Sequence, residues 1–193
     1  MITKPVIDYL QSILPLNEEE NYIVEKAFMK RQVKRRHFIL QEGDICEHHT
    51  FVAKGCFRMF MVDEKGKEHN LQFAVENWWI TDIGSFYLEE PSQLYIEALE
   101  NSTVFQLKKE DQLKLFDDNI KFNQIFRSLT EKALVSAHRR ILQNISSTAE
   151  ERYLDFLKRY PYFFNRISNV QIASYLGITP EFLSTIRNKI SKY

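Results

Sequence analysis

The chain has little of several residue types that would define a fold or a site. Its 193 residues include only two cysteines, Cys46 and Cys56. Two are too few for a disulfide framework, a four-cysteine zinc site or a four-thiolate iron–sulfur cluster. Five glycines and five prolines exclude a collagen-like or low-complexity chain. No run of 18 apolar residues occurs, and the N-terminus carries charge where a signal peptide needs an apolar stretch. The composition therefore predicts a folded cytoplasmic protein without membrane span, metal or other cofactor.

A net charge is also lacking, because 26 basic residues balance 26 acidic ones. The balance is uneven along the chain. Residues 146–193 hold seven basic and four acidic residues, a net charge of +3, and the remainder carries −3. A small basic C-terminal module is a mild indication of nucleic-acid contact. An excess of this size is also typical of an ordinary solvated surface.

The first two thirds of the chain contain a helix signal and then strand signals. Asn17–Glu20 reads as the capped start of an amphipathic helix. From Lys34 to Leu107 the apolar residues alternate with polar ones in short runs, and Asp63–Gly66 is a turn signal between two of them. The runs that predict strands are Cys56–Val62, Asn70–Val75, Tyr95–Leu99 and Val104–Leu107. Their spacing predicts a β-sandwich or jelly roll.

After Lys108 the apolar residues return to helical spacing and predict a helix of about seven turns over residues 122–145. Such a helix needs a surface to cover its apolar stripe. It either packs on its own β-body or forms a dimer seam with a second copy, and one helix can do both. The residues predicted to line the dimer interface are Phe122, Ile125, Phe126, Leu129, Ala133, Ala137 and Ile141.

The C-terminal segment predicts a helix-turn-helix. Ser168 and Gln171 form a capping box that opens one helix, and Gly177 ends it because glycine adopts positive φ. Thr179 as N-cap and Pro180 at the first helical position then start a second helix that runs to about Ser191. Aliphatic residues at the crossing positions distinguish this pattern from an arbitrary helical hairpin.

One face of the second helix is predicted to contact DNA. At 100° per residue, Phe182, Leu183, Ile186 and Ile190 face the core. The N-terminal part of a recognition helix reads base edges, while cations fix the register on phosphates. The predicted DNA-binding residues are Ser168, Gln171, Thr179, Pro180, Glu181, Ser184, Thr185, Arg187, Asn188 and Lys189, with Arg166 as a further phosphate contact.

An enzyme is the first alternative class. Glu47, His48 and His49 stand on a predicted β-roll, but adjacent side chains on a strand point to opposite faces, which argues against a metal site. No glycine-rich phosphate loop and no G-x-S-x-G elbow occurs. The sequence therefore predicts that the chain is not an enzyme.

Three segments resemble the family of the cyclic-AMP receptor protein and the fumarate–nitrate regulator (Crp/Fnr). Ile39–Asp44 with Phe51–Arg58 is similar to the first hairpins of its β-roll, and Asp63–Glu68 to the next hairpin turn. Glu151–Leu154, Tyr160-Pro161 and Ile172–Glu181 resemble the C-terminal module of a subgroup common in Bacteroidetes.

The resemblance implies an α+β fold with three parts. These are a cyclic-nucleotide-binding-type β-roll at residues 1–118, a dimerisation helix at 119–145 and a helix-turn-helix domain at 146–193. It implies a homodimeric transcription regulator that binds a near-palindromic operator in double-stranded DNA and has RNA polymerase as a further partner. The runner-up function is a stand-alone sensor module that regulates a protein partner.

The chain departs from the family pattern at several positions. Family members commonly have Ser-Arg where this chain has Ser184-Thr185, and no β-wing is expected after the recognition helix. The Gly-Glu pair and the arginine that hold a cyclic nucleotide are absent, and no Lys or Arg occurs between Glu68 and Leu107. The pocket is therefore expected to take an uncharged effector or none, and not cyclic AMP. Its predicted lining is Trp79, Asp82, Gly84, Ser85, Phe86, Ser92 and Gln93.

Overall fold

The computed structural model describes residues 2–163 and 165–190, and the chain divides into two compact units. One unit comprises Met1–Phe60 with Gln72–Lys132, and the other Met61–Leu71 with Ala133–Tyr193. This division cuts the long helix and assigns the tip of a β-hairpin to the C-terminal unit. The functional domain boundaries predicted at residues 118 and 145 stay a prediction.

The strands form two sheets, in which the neighbouring strands run antiparallel. Within the described residues, one sheet has the order β1-β8-β3-β6 and the other β2-β7-β4-β5. The strands are β1 (Phe28–Val33), β2 (Phe38–Leu40), β3 (His48–Lys54), β4 (Phe57–Val62), β5 (Glu68–Ala74), β6 (Trp78–Ile80), β7 (Tyr95–Ala98) and β8 (Ser102–Lys108). The predicted hairpin of β4 and β5 and the α+β class are confirmed.

Strand β1 lies before the position at which the sequence predicted the β-region to begin. The prediction started at Lys34, whereas β1 begins at Phe28 directly after a helix. Only the two ends of this strand, Phe28 and Val33, are buried, and the four residues between them are exposed. β1 is an edge strand of its sheet, so it lacks the alternation that marks a half-buried strand.

Helices pack with the first sheet in a core cluster. They are α1 (Lys4–Gln11), α2 (Glu18–Ala27), α4 (Lys109–Asp118) and α5 (Ile120–Ser146), while α3 (Ile83–Leu88) contributes no residue to this cluster. The predicted cap of α2 is confirmed, because the Asn17 side chain accepts from the Glu20 amide and the Glu20 carboxylate from the Asn17 amide, each at 2.8 Å. Val6 and Leu10 of α1 pack with Phe51 and Phe105 of the sheet.

The long helix α5 changes its environment along its length. Phe122, Ile125 and Phe126 are buried in the core of their own unit, and Leu129 packs against that core. These residues already have partners in the same chain, and their place in a dimer interface stays a prediction. From residue 131 to the end of the helix, nearly every residue is exposed.

The second unit is helical apart from the hairpin tip. It contains α6 (Ala149–Arg159), a 3-10 helix (Pro161–Phe163), α7 (Asn169–Leu176) and α8 (Pro180–Ile190). Phe156 of α6 is buried and stacks on Phe163, with ring centroids 6.1 Å apart. Among the described residues, no helix is apolar over a length that would let it cross a membrane.

Candidate nucleic-acid interface and effector site

Helix α7 has the ends that the sequence predicted. The Ser168 hydroxyl accepts from the Gln171 backbone amide at 3.3 Å, and the Gln171 side-chain oxygen accepts from the Ser168 backbone amide at 3.1 Å. Gly177 follows the helix with φ 68°, the left-handed conformation that glycine adopts without steric cost. Ile172, Ala173 and Leu176 are buried. This is the first helix of a helix-turn-helix.

Helix α8 starts after a turn of three residues, Gly177, Ile178 and Thr179. The Thr179 hydroxyl accepts from the Phe182 amide at 3.2 Å, which makes Thr179 the predicted N-cap. Leu183 and Ile186 are buried, as expected. Phe182 is not, because half of its surface (50%) is exposed. The assignment of Phe182 to the core was wrong, since this residue lies 100° around the helix from Leu183, at the border of the buried face. Ser191, the predicted end of the helix, lies outside the described residues.

The outward face of α8 carries the predicted base-reading residues. Glu181, Ser184, Thr185 and Asn188 are all exposed. The Ser184 hydroxyl donates to the Pro180 carbonyl at 3.0 Å, and the Thr185 hydroxyl donates to the Glu181 carbonyl at 3.1 Å. Both hydroxyls keep their oxygen lone pairs free to accept hydrogen bonds from a partner.

The cations predicted to contact phosphates are engaged within the unit. The Arg187 guanidinium donates to the Asn169 side-chain oxygen, and Lys189 forms an ion pair with Glu150 at 2.6 Å. Both contacts are exposed, so they are weak and exchangeable. A phosphate would have to replace Asn169 and Glu150 as the partner of these cations.

Part of the predicted effector site comes together around α3. The Asp82 carboxylate accepts from the Ser85 amide at 3.3 Å, which caps the helix, and from the Ser92 hydroxyl at 2.6 Å. The Ser85 hydroxyl accepts from the Cys46 amide at 2.8 Å and donates to the Glu90 carbonyl at 2.7 Å. These three polar side chains therefore hold the loop around α3 in place.

The other predicted effector residues lie elsewhere. Trp79 packs in the helical core cluster, while Gly84 and Gln93 are exposed. Phe86 is buried against the ring of His49, with centroids 5.0 Å apart. Burial of His49 lowers the pKa of its imidazole to about 4, and its Nδ1 has no hydrogen-bond partner. This ring is a neutral core residue near pH 7.

Arg58 and Glu97 were not singled out by the sequence patterns. They face each other on β4 and β7 and form an ion pair of 2.6 Å, with both side chains almost fully buried. The Arg58 guanidinium also lies 3.9 Å above the Phe60 ring. Cross-strand pairing places an arginine opposite an acid only once the strand register is known, so the signal was hidden in the sequence.

The thiols of Cys46 and Cys56 are buried. Among residues 2–163 and 165–190, no three His, Cys, Asp or Glu side chains converge in a way that could hold a metal ion.

Comparison with known proteins finds a family model that matches part of the chain. Residues 30–119 match the family described as the cyclic nucleotide-binding domain. None of the curated proteins matches the chain.

Solved structures resemble the chain over nearly its whole length. FixK2 from Bradyrhizobium japonicum is 19% identical with a TM-score of 0.75, and 86% of this chain and 85% of that chain are covered. The c-di-GMP-responsive global regulator CLP from Xanthomonas campestris is 13% identical with a TM-score of 0.73, covering 91% and 92%. Catabolite activator protein from Thermus thermophilus is 19% identical with a TM-score of 0.59, covering 95% and 87%.

Residues 30–119 thus resemble a cyclic nucleotide-binding domain, and the helix-turn-helix of α7 and α8 follows them in the chain. The chain as a whole has the fold of the Crp/Fnr-type transcription regulators, and the resemblance read from the sequence is confirmed.

Proposed function

We propose that the chain is a homodimeric transcription regulator that binds a near-palindromic operator in double-stranded DNA. The observation that carries the proposal is the helix-turn-helix of α7 and α8. The two helices pack on each other through the buried residues Ile172, Leu176, Leu183 and Ile186. The opposite face of α8 is exposed and polar. A second helix with a free polar face is the element that enters the major groove.

The exposed face of α8 supports a division of roles. Glu181, in the first turn, is placed to accept a hydrogen bond from a cytosine amino group, and Ser184 and Thr185 accept from bases as well. Phe182, half-exposed at the edge of this face, is suited to the apolar methyl group of thymine. Sequence periodicity missed Phe182, because an aromatic residue beside Leu183 reads as core.

Contacts to phosphates come from residues around this face. Arg187 and Lys189 exchange their exposed partners Asn169 and Glu150 for phosphate oxygens, which accept charge-assisted hydrogen bonds. Gln171 uses only its carbonyl oxygen in the capping box with Ser168, which leaves its amide nitrogen for a phosphate. Thr179 and Pro180 start the recognition helix and approach the same backbone.

Dimerisation is supported by the bare second half of α5. Leu134 and Ile141 lie seven residues apart and are each 54% exposed, and Ile145 is 79% exposed. With Ala137 they form a seam with steps of three, four and four residues, the spacing of paired helices. Ala133, Ala137 and Ile141 of the predicted interface lie on this exposed half. The interface gains Leu134, which the sequence stripe did not include. A second copy of the chain is the occupant that matches this spacing.

The sensor unit is proposed to bind an uncharged effector or none. Asp82 and Ser92 satisfy each other, and the buried Arg58 is paired with Glu97. The described cation that contacts α3, Lys109, donates to the Tyr87 carbonyl at 2.9 Å and forms an ion pair with Glu89 at 2.5 Å. A cyclic phosphate would have to displace these partners. RNA polymerase remains the proposed further partner, as for other regulators of this type.

Selection of duplexes from a random pool by the purified dimer tests this function. We expect a near-palindromic motif with half-sites about 10 bp apart. Glu181→Ala should change the preferred bases, at a cost of about 1–3 kcal/mol on the selected site, whereas Arg187→Ala should weaken all duplexes alike. Glu131→Ala, an exposed acid on α5, is the matched control and should change neither.

The opposite results discriminate the alternatives. A stand-alone sensor that docks on a protein yields no motif and no salt-dependent binding to any duplex. A true DNA reader loses affinity steeply as salt rises. If Glu181→Ala and Arg187→Ala have the same effect, the division into base and phosphate contacts is wrong.

A further inference from the structure

The tip of the β4–β5 hairpin belongs to the same compact unit as the helix-turn-helix. The tip is held in shape by its own hydrogen bonds. Asp63 accepts from the amides of Lys65 and Lys67 at 2.9 Å each, and its other carboxylate oxygen lies 2.8 Å from the His69 ring nitrogen. These hydrogen bonds fix the conformation of the tip, from which strand β5 continues.

One side chain of α7 binds the backbone of β5 at two points. The Ser174 hydroxyl accepts from the Asn70 amide at 3.0 Å and donates to the Glu68 carbonyl at 2.9 Å. β5 is the edge strand of its sheet, and residues two apart on a strand turn their backbone groups to the same side. Ser174 thus takes the place of a neighbouring strand at this edge. The Asn70 side-chain amide also reaches the Gln171 carbonyl, at 3.5 Å.

The carbonyl of the same β5 residue is bound by α5. The Arg140 guanidinium donates to the Asn70 carbonyl at 3.0 Å and to the Tyr175 carbonyl at 3.4 Å. It also lies 4.2 Å above the Tyr175 ring, a cation–π geometry. Asn70 is 3% exposed, and its bonds to Ser174 and Arg140 are partly buried. We call Ser174, Arg140 and the backbone of Glu68 and Asn70 the hairpin clamp.

The hairpin clamp leaves the DNA-reading face free. Its contacts on the helix-turn-helix fall on Ser174 and Tyr175 of α7, and the outward residues of α8 remain exposed. Because α7 and α8 share a buried core, a contact that fixes α7 also fixes α8. The clamp therefore orients the recognition helix without competing with DNA.

From this geometry we infer that Ser174 and Arg140 are positioning residues for operator binding. They hold the helix-turn-helix against strand β5. The two helix-turn-helix units of a dimer can then contact the two half-sites of one operator at the same time. The inference rests on the proposed function. A reader that is loosely held still binds one half-site, but it loses the advantage of simultaneous engagement, which depends on fixed geometry.

Binding of the Ser174→Ala dimer to the selected full operator and to a single half-site tests the inference. Loss of the two hydrogen bonds predicts roughly tenfold weaker binding to the full operator, a change that corresponds to about 1.4 kcal/mol. Binding to the half-site should not change. Ser174→Thr keeps the hydroxyl and should restore most of the affinity. Ser146→Ala is the matched control, because the Ser146 hydroxyl donates only to the Leu142 carbonyl of its own helix.

Arg140→Lys provides a second variant that keeps the charge and loses the forked contact. It should also weaken the full operator selectively. Thermal unfolding of each variant and hydrogen exchange of the Asn70 amide, faster in Ser174→Ala, show that the fold is kept while the clamp is open.

Three results would overturn the inference. Equal losses on the full operator and the half-site would show that Ser174 only supports the helix-turn-helix fold. Unchanged or tighter binding to the full operator would show that the clamp does not favour binding. If the wild-type dimer binds no duplex, the proposed function fails first and the positioning role falls with it, a result that is visible before any variant is made.

Discussion

Ser92 donates its hydroxyl to the Asp82 carboxylate across 2.6 Å. The other oxygen of this carboxylate accepts from the Ser85 backbone amide and so caps α3. The two polar side chains that stand nearest to each other in the predicted effector site are therefore satisfied without a ligand. A ligand that needs them would have to break a charge-assisted hydrogen bond.

This relationship predicts that the protein does not bind cyclic AMP or cyclic GMP. A cyclic phosphate buried without a cationic partner is left uncompensated, at a cost of several kcal/mol. Each ~1.4 kcal/mol weakens binding tenfold, so micromolar affinity is lost. Calorimetry with both nucleotides should show no binding at micromolar concentration, with a known cyclic-nucleotide-binding protein as the positive control. A dissociation constant in the low micromolar range for either nucleotide would refute the prediction.

The bare seam of α5 predicts that Ile141→Glu dissociates the dimer. Ile141 is 54% exposed in the single chain, and a carboxylate at the centre of a paired-helix seam would be desolvated against its own copy. Sedimentation equilibrium at micromolar concentration should give twice the 23.1 kDa of one chain for the wild type and 23.1 kDa for the variant.

Val135→Glu is the control for this substitution. Val135 is equally exposed, at 59%, but lies 100° around the helix from Leu134 and off the seam. The variant should remain a dimer. If the wild type sediments as a single chain, the exposed face of α5 has another role.

Gly55 and Gly66 both have positive φ, but only at Gly55 would an added methyl group also clash with a neighbour. Alanine substitutions at the two positions therefore distinguish steric clash from backbone strain. At Gly55 (φ +115°) an added Cβ would lie 2.0 Å from the Ser102 hydroxyl oxygen and 2.8 Å from the Ser102 Cα, whereas nothing lies within 4 Å at Gly66 (φ +78°). Gly66→Ala should cost about 1 kcal/mol of unfolding free energy from strain alone, and Gly55→Ala more than about 3 kcal/mol. Urea denaturation of both variants measures the difference. Equal losses would mean that the chain around Ser102 yields to the methyl group.

Much of the DNA-reading unit could be predicted because its signals are local. The Ser168–Gln171 capping box, Gly177 after α7 and the Thr179 cap are each set by neighbours within four residues. The same locality explains the error at Phe182. Helical periodicity places a residue on a face, but the width of the buried stripe depends on what packs against it.

The remaining features depend on contacts distant in sequence. The apolar stripe of α5 is covered by its own chain up to Leu129 and is uncovered beyond it. The spacing of the apolar residues is the same on both sides of that point. The bond between Ser174 and Glu68 joins residues 106 positions apart. The pairing of Arg58 with Glu97 needs the register of β4 against β7. No pattern within a single element contains this information.

The last prediction concerns acid stability and the buried ring of His49. Burial lowers the pKa of His49 from 6.5 to about 4 in the folded protein, because an imidazolium among the rings of Trp79, Phe86 and Phe126 would be poorly solvated. Between these two values the unfolded chain binds a proton that the folded chain does not. The free energy of unfolding therefore falls as the pH drops from about 6.5 to about 4, by up to about 3 kcal/mol, and is unaffected above the unfolded pKa.

Replacement of the ring by one that cannot be protonated should remove this part of the pH dependence. We expect His49→Phe to lose less stability than the wild type between about pH 7.5 and about pH 4.5, measured by urea unfolding at each pH. His37→Gln, a substitution at an exposed histidine, is the control and should follow the wild type. Carboxylates titrate in all three proteins, so the difference between the curves isolates His49. If His49→Phe and the wild type lose stability in parallel, the folded protein admits a proton at His49 and the ring is not held neutral by its burial.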